Sequence, residues 1–130
     1  MARMATPENM VRRILVVDDE PLVCDSLRMV LELDHHQVQT TNSGHEALAA
    51  IQNGKYDLII LDYEMPVMKG DKLAAAIKAL SPQQPIIMIT GYAEKLRLAG
   101  NFPLAVDSVI NKPFEIQEIR DAVRKAAAKP

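Results

Sequence analysis

The sequence is short of three things: cysteine, basic charge in excess, and long apolar runs. Each shortage excludes a class of protein. Cys24 is the only cysteine in 130 residues, so no internal disulfide can form. Its place in an apolar-periodic stretch reads as a reduced, helix-borne thiol packed as a small hydrophobe, which fits a cytoplasmic setting. Basic and acidic residues number 15 and 17, for a formal charge of -2. That balance lacks the basic excess of a nucleic-acid-binding domain, and no direct nucleic-acid partner is expected. No apolar run approaches the ~18 residues of a membrane span, and the stretch from Met1 to Arg13 lacks the apolar region of a signal peptide. The chain reads as soluble and untargeted, with no membrane partner. Internal repeats and low-complexity tracts are absent as well.

What is present is enough for one well-covered core: 48% of the residues are hydrophobic. Residues 1-11 are polar and irregular and read as a flexible N-terminal tail, leaving 12-130 for the folded domain. Ile14-Leu15-Val16-Val17 is a short run rich in β-branched residues, the signature of a buried strand. Similar runs follow at Leu58–Leu61 and Ile86–Ile89, with a weaker one at Val38–Thr41 and a last at Ser108–Ile110. Runs this continuous suit a sheet covered on both faces.

Helical patterns lie between the strands. Leu22, Leu27, Val30 and Leu31 follow Pro21, which the first turn of a helix tolerates. Ser43 to Gln52 comes next, with Gly54 beyond it; then Leu73, Ala74, Ile77 and Leu80 ahead of Pro82; and last Ile116, Ile119 and Val123. Gly100 and Pro103 interrupt the segment where a fourth helix is due, which predicts a short or frayed one. Met29 and Met88 read as core packing, and the adjacent His35 and His36 as exposed residues of the turn after the first helix. Strict alternation of strand and helix implies a parallel α/β sheet, doubly wound and five-stranded, in the flavodoxin-like order 2-1-3-4-5.

In such a sheet ligands gather at the carboxyl ends of the strands. Those ends carry Asp18-Asp19, Asp62, Thr90 and Asn111-Lys112-Pro113. Clustered carboxylates disfavour one another's ionisation unless a cation neutralises them, and an oxygen-only set favours Mg²⁺. Mg²⁺ keeps part of its shell for water and phosphate, so the cluster points to phosphoryl transfer. Asp62 is the best nucleophile, ending the most apolar run and followed by the turn Tyr63-Glu64-Met65-Pro66, whose backbone N–H groups could point back at incoming oxygens. Lys112 would neutralise the transferred group and Thr90 would donate a hydrogen bond to it.

Four pieces in order, Ile14-Leu15-Val16-Val17-Asp18-Asp19-Glu20, Leu58-Ile59-Ile60-Leu61-Asp62-Tyr63-Glu64-Met65-Pro66 with Gly70, Ile89-Thr90-Gly91, and Lys112-Pro113-Phe114, resemble the receiver domain of response regulators in two-component signalling. The resemblance covers about residues 12 to 128 and implies a function. Asp62 would accept a phosphoryl group from a histidine kinase or histidine phosphotransfer protein, and the domain would pass a conformational signal to a downstream effector protein or domain. It would be a signalling module that catalyses its own phosphorylation and dephosphorylation. The resemblance further implies that Asp19, Asp62 and the Glu64 backbone carbonyl hold Mg²⁺ directly, with Asp18 acting through water. It implies that Thr90 moves toward the phosphate, that Lys112 pairs with it, that the Lys112-Pro113 peptide is cis, and that Glu64 and Tyr92 flank the approach of a hydrolytic water. One position departs from the pattern: Val109 stands where the family often has Tyr or Phe.

Simpler readings exist for the parts. Asp18-Asp19 could merely cap the first helix, and Lys112-Pro113 and Thr90-Gly91 could be plain turns. A haloacid-dehalogenase-like phosphatase also uses an aspartate nucleophile with Mg²⁺, but it expects a second Asp two residues on and its nucleophile on the first strand, whereas position 64 is Glu and Asp62 ends the third. A phosphorylation-independent protein-binding scaffold would not need the acidic pair, Asp62, Thr90 and Lys112 together.

Overall fold

The computed structural model describes residues 12–98 and 106–128, so the expected N-terminal tail and the interruption at Gly100 and Pro103 lie outside the described residues. Five strands alternate with five helices: β1 (Arg13–Val17), α1 (Pro21–Leu33), β2 (Gln37–Thr41), α2 (Gly44–Asn53), β3 (Leu58–Asp62), α3 (Gly70–Leu80), β4 (Ile86–Thr90), α4 (Ala93–Leu98), β5 (Ser108–Asn111) and α5 (Ile116–Ala128). The strands form one parallel sheet in the order β2-β1-β3-β4-β5, as the alternation predicts.

Side chains along a strand alternate between faces, and the core divides accordingly. Ile14, Val16, Leu58, Ile60, Ile87, Ile89 and Ile110 meet Cys24, Leu27 and Leu31 of α1 and Ile119, Ala122 and Val123 of α5. On the other face Leu15, Val17, Ile59, Leu61, Ile86 and Met88 meet Ala47 of α2 and Leu73, Ala74 and Ile77 of α3. The three inner strands are buried nearly throughout, which is why they read as unbroken apolar runs. The weak run is β2, an edge strand whose first four residues alternate between exposed and half-buried.

Local chemistry sets the helix ends. Pro21 opens α1 after Glu20, whose side chain makes no capping bond. Neither Asp18 nor Asp19 is therefore the N-cap, and the capping alternative fails. Ser43 caps α2 by accepting from the Glu46 N–H, and Glu46 in turn accepts from the Asn42 N–H. At the end of α1 the His35 N–H bonds the Glu32 carbonyl and the His36 N–H bonds the Leu31 carbonyl, with His35 at φ 67°. This is a Schellman turn with histidine where glycine is usual.

Some expected core residues face out. Leu22 is 80% and Met29 62% exposed, and Leu80 and Ile116 are exposed too, whereas Met88 is buried as expected. In α1 apolar residues occupy both faces, and the sheet covers the stripe of Cys24, Leu27 and Leu31 rather than that of Leu22 and Met29. His36 also departs from expectation: it is half-buried, and its Nδ1 accepts the Arg12 N–H.

Candidate functional site

Parallel pairing carries every strand's last residues to one edge. Register sets Val17 beside Leu61, Asp62 beside Ile89 and Thr90 beside Asn111. Three backbone bonds extend the pairing past the strands: Asp18 N–H to Thr41, Tyr63 N–H to Ile89 and Lys112 N–H to Thr90 carbonyls. Asp18, Asp62 and Thr90 are thereby fixed next to one another and are almost wholly buried. Gly70, the first residue of α3, makes room. A Cβ there would lie 2.7 Å from both the Asp62 carbonyl oxygen and the Tyr63 Cα.

Lys112 reaches into the acidic edge from the end of β5. Its Nζ lies 2.7 Å from Asp62 Oδ1 and 3.7 Å from Asp18 Oδ2. Burial pushes the Asp62 carboxyl up to about 7; the Lys112 bond pulls it down, and the charges of Asp18 and Glu64 push it up again. Asp18 is likewise raised, chiefly by burial, despite the Glu20 N–H donated to its Oδ1 and the nearby ammonium. Burial alone would lower Lys112, but its bond to Asp62 and the surrounding carboxylates outweigh that and leave it raised. One ammonium thus serves two buried carboxylates.

Neighbouring residues brace the pair. Asn42 Nδ2 donates to the Asp18 carbonyl oxygen at 3.0 Å, and the Cys24 thiol donates to the same oxygen at 3.4 Å. Burial pushes that thiol up to about 11, with the Asp18 charge adding to it, so Cys24 is an inert core group. Asn111 Oδ1 accepts the Ala93 N–H and ties the end of β5 to the start of α4. No motif marks Asn42, whose relevance arises only once β2 lies beside β1.

The Glu64 and Thr90 side chains meet. Thr90 Oγ1 donates to Glu64 Oε1 at 2.7 Å, the Gly91 N–H donates to the same oxygen at 2.9 Å, and the Tyr92 N–H donates to Thr90 Oγ1 at 3.0 Å. In the turn after Asp62 the Tyr63 and Met65 amides are bound to the Ile89 and Tyr63 carbonyls. Tyr92 is half exposed, with Lys95 Nζ over its ring at 5.6 Å. Lys112-Pro113 is cis, as the resemblance implies, and Val109 packs, half-buried, against the α2 and α3 side of the core.

The donor set fits a hard divalent cation. Asp18, Asp19 and Glu20 each offer an oxygen, all within 4.8 Å of one another. Asp19 Oδ1 is buried and accepts no hydrogen bond from the described residues, an orphaned oxygen next to the raised carboxyl of Asp18. Glu20 belongs to this tight group and Asp62, held by Lys112, stands outside it.

Comparisons with known proteins agree on one family. Residues 14–124 match the family described as the response regulator receiver domain. The transcriptional regulatory protein ResD of Bacillus subtilis (strain 168) is 36% identical over 107 residues, covering 82% of this chain and 44% of that protein. The alkaline phosphatase synthesis transcriptional regulatory protein PhoP of the same organism is 32% identical over 115 residues, covering 88% and 48%. The chain spans about half the length of the curated relatives it matches. Among solved structures, the response regulator TrrA of Thermotoga maritima, in complex with Mg(2+)-BeF, superposes with a TM-score of 0.82 at 35% identity, covering 89% of this chain and 99% of that one. A receiver domain protein of Methanospirillum hungatei JF-1 does so with a TM-score of 0.80 at 30% identity, over 91% and 94%.

Proposed function

The chain belongs to the response regulator receiver domains, signalling modules of two-component systems, and from that premise we propose that Asp62 is its phosphoacceptor. The observation that carries the proposal is the buried Asp62 carboxylate at the end of β3, 2.7 Å from Lys112 and beside Asp18. In the proposed reaction an Asp62 oxygen attacks the phosphorus of a phosphohistidine; the O–P bond forms, the N–P bond breaks, and the histidine nitrogen takes up a proton. Lys112 is placed to shift its ammonium from the free carboxylate to the phosphoryl oxygens, and Thr90 to donate its hydroxyl to them. Asp19, Asp62 and the Glu64 carbonyl would hold Mg²⁺, with Asp18 acting through water, and the ion would supply positive charge against the transferred group. The same groups would let the domain catalyse its own phosphorylation and dephosphorylation.

The phosphodonor we propose is a histidine kinase or a histidine phosphotransfer protein, and the recipient of the signal a downstream effector protein or domain. Such a donor draws on ATP, so the proposed location is the cytoplasm. Within the chain, residues 12-130 form the proposed receiver unit and 1-11 a preceding segment. Family membership replaces the haloacid-dehalogenase reading, and the Lys112–Asp62 pair gives the scaffold reading no support.

Radiolabelled acetyl phosphate with Mg²⁺ tests the assignment. Wild type should acquire a base-labile acyl phosphate and Asp62→Asn none, while retaining its fold; undiminished labelling of that variant would overturn the proposal. Decay of the labelled protein then tests Tyr92. Its ring is large enough to shield the approach of water, so Tyr92→Ala should lose phosphate several-fold faster, and an unchanged or slower decay would remove that role.

A further inference from the structure

The donors that would receive a phosphoryl group are already occupied by a side chain of the same protein. Glu64 Oε1 accepts two hydrogen bonds, from the Thr90 hydroxyl at 2.7 Å and from the Gly91 amide at 2.9 Å. Both donors sit at the carboxyl end of β4, which pairs with β3 so that Asp62 lies opposite Ile89, the residue before Thr90. The Glu64 side chain comes from two residues past Asp62 and crosses from the loop after β3 to the loop after β4. Its second oxygen, Oε2, is buried and accepts nothing from the described residues. Thr90 is fully buried, and its oxygen is bonded on both sides, donating to Glu64 and accepting from the Tyr92 amide.

A carboxylate oxygen and a phosphoryl oxygen are both anionic acceptors, and they compete for the same N–H and O–H groups. One hydroxyl hydrogen can make one strong bond. If it goes to Glu64 it is withheld from a group on Asp62, and the same holds for the Gly91 amide. From this geometry, and resting on the phosphoacceptor reading of Asp62, we infer that Glu64 is an internal competitor of the phosphoryl group. It latches Thr90 and Gly91 in the unphosphorylated protein and must release them before the transferred phosphate is fully bound. Glu64 is thus a positioning residue that lowers the affinity of this site for phosphoryl-like anions. It acts on the formation of the phosphorylated state, apart from any effect on the water that later attacks it.

Beryllofluoride with saturating Mg²⁺ is the probe, since it presents acceptor fluorines in place of phosphoryl oxygens. Glu64→Ala should bind it about tenfold more tightly than wild type, the scale of one ordinary net hydrogen bond, because in wild type the two donors only trade one anionic acceptor for another. Glu64→Gln keeps the acceptor oxygen and the size but loses the charge, and should fall between the two. A general repulsion by the Glu64 charge would give the same gain whether or not Thr90 has its hydroxyl. The latch predicts a smaller gain when Glu64→Ala is made in a Thr90→Val background. An equal gain there, or no gain in the wild-type background, overturns the competition. Amide hydrogen exchange of the unphosphorylated protein reads the latch without any phosphate analogue: Glu64→Ala should speed exchange at Gly91, and unchanged protection sinks it. Absence of beryllofluoride binding in wild type and Glu64→Ala alike, with exchange at Gly91 still accelerated, would instead defeat the phosphoacceptor reading.

Discussion

Asp62 shows how a single carboxyl is held between two roles. Burial raises it to about 7, against 3.8 for an ordinary aspartate, because one Lys112 ammonium has to answer for Asp18 as well. In metal-free protein the folded state therefore keeps a proton that the unfolded state has already released, and stability falls as pH rises between those two values. Asp62→Asn removes this dependence and leaves Lys112 with one partner. The advantage of the variant over wild type should grow by about 1–3 kcal/mol between pH 5 and pH 8, as the buried carboxyl of the wild type loses its proton. Urea unfolding in EDTA at both values checks this, and a gap that does not grow with pH would contradict it.

Among the elements, the loop from β3 to α3 carries two backbone constraints, at Val67 and at Gly70 where α3 begins. Val67 in this loop has φ 70°, a left-handed conformation that β-branched side chains rarely adopt, and its side chain is 94% exposed. Nothing packs against it to repay the strain. Val67→Gly should stabilise the protein by about 0.5–1 kcal/mol, the relieved strain less the extra entropy of glycine in the unfolded chain. Three residues on, Gly70→Ala should cost about 1–3 kcal/mol, since the added Cβ meets backbone at 2.7 Å on either side of the Asp62 peptide. It should also depress labelling of Asp62. Thermal unfolding of the two variants decides both; equal effects of the same sign would show that backbone geometry in this loop is not what limits it.

The elements also show what a linear reading can and cannot reach. β1, β3 and β4 were legible because burial on both faces leaves only apolar residues, and Asp18, Asp62 and Thr90 stand out by ending those runs. Leu22 and Met29 misled because α1 carries apolar residues around most of its circumference, and only packing decides which stripe is covered. Asn42 and the Glu64–Thr90 bond were illegible for another reason. They join residues 24 and 26 positions apart, and side-chain hydrogen bonds over such separations leave no periodicity in the sequence.

At the scale of the whole molecule, an acidic edge with one ammonium is a store of electrostatic repulsion that a cation can discharge. Anything that binds the folded state alone stabilises it by mass action, by about 2.7 kcal/mol at a concentration 100 times its Kd. Mg²⁺ should therefore raise the unfolding temperature, more at pH 8 than at pH 5, because protons and metal compete for Asp62. Asp19→Ala should abolish most of that rise. Among the described residues Asp19 Oδ1 has no hydrogen-bond partner, whereas both Asp18 oxygens are already engaged, one by the Glu20 amide and the other by Lys112. Asp18→Ala should accordingly lower stability even without metal while keeping more of the Mg²⁺ response. Melting curves of the three proteins with and without Mg²⁺ test this ordering, and equal Mg²⁺ shifts in all three would refute it.

The strand order has a consequence for how the protein is made. The acidic residues of the site lie at the ends of β1 and β3, which pair with each other, but their counterion follows β5, at the far edge of the sheet and the last strand in chain order. A ribosome delivers the charges well before it delivers Lys112. Until then the half-built sheet has no inexpensive way to bury Asp18 and Asp62, and water must stay at their end of the strands. The reactive edge therefore stays wet at least until β5 is in place, and a nascent chain that stalls short of Lys112 presents its carboxylates to the divalent ions of the surrounding solution before it can present them to a phosphodonor.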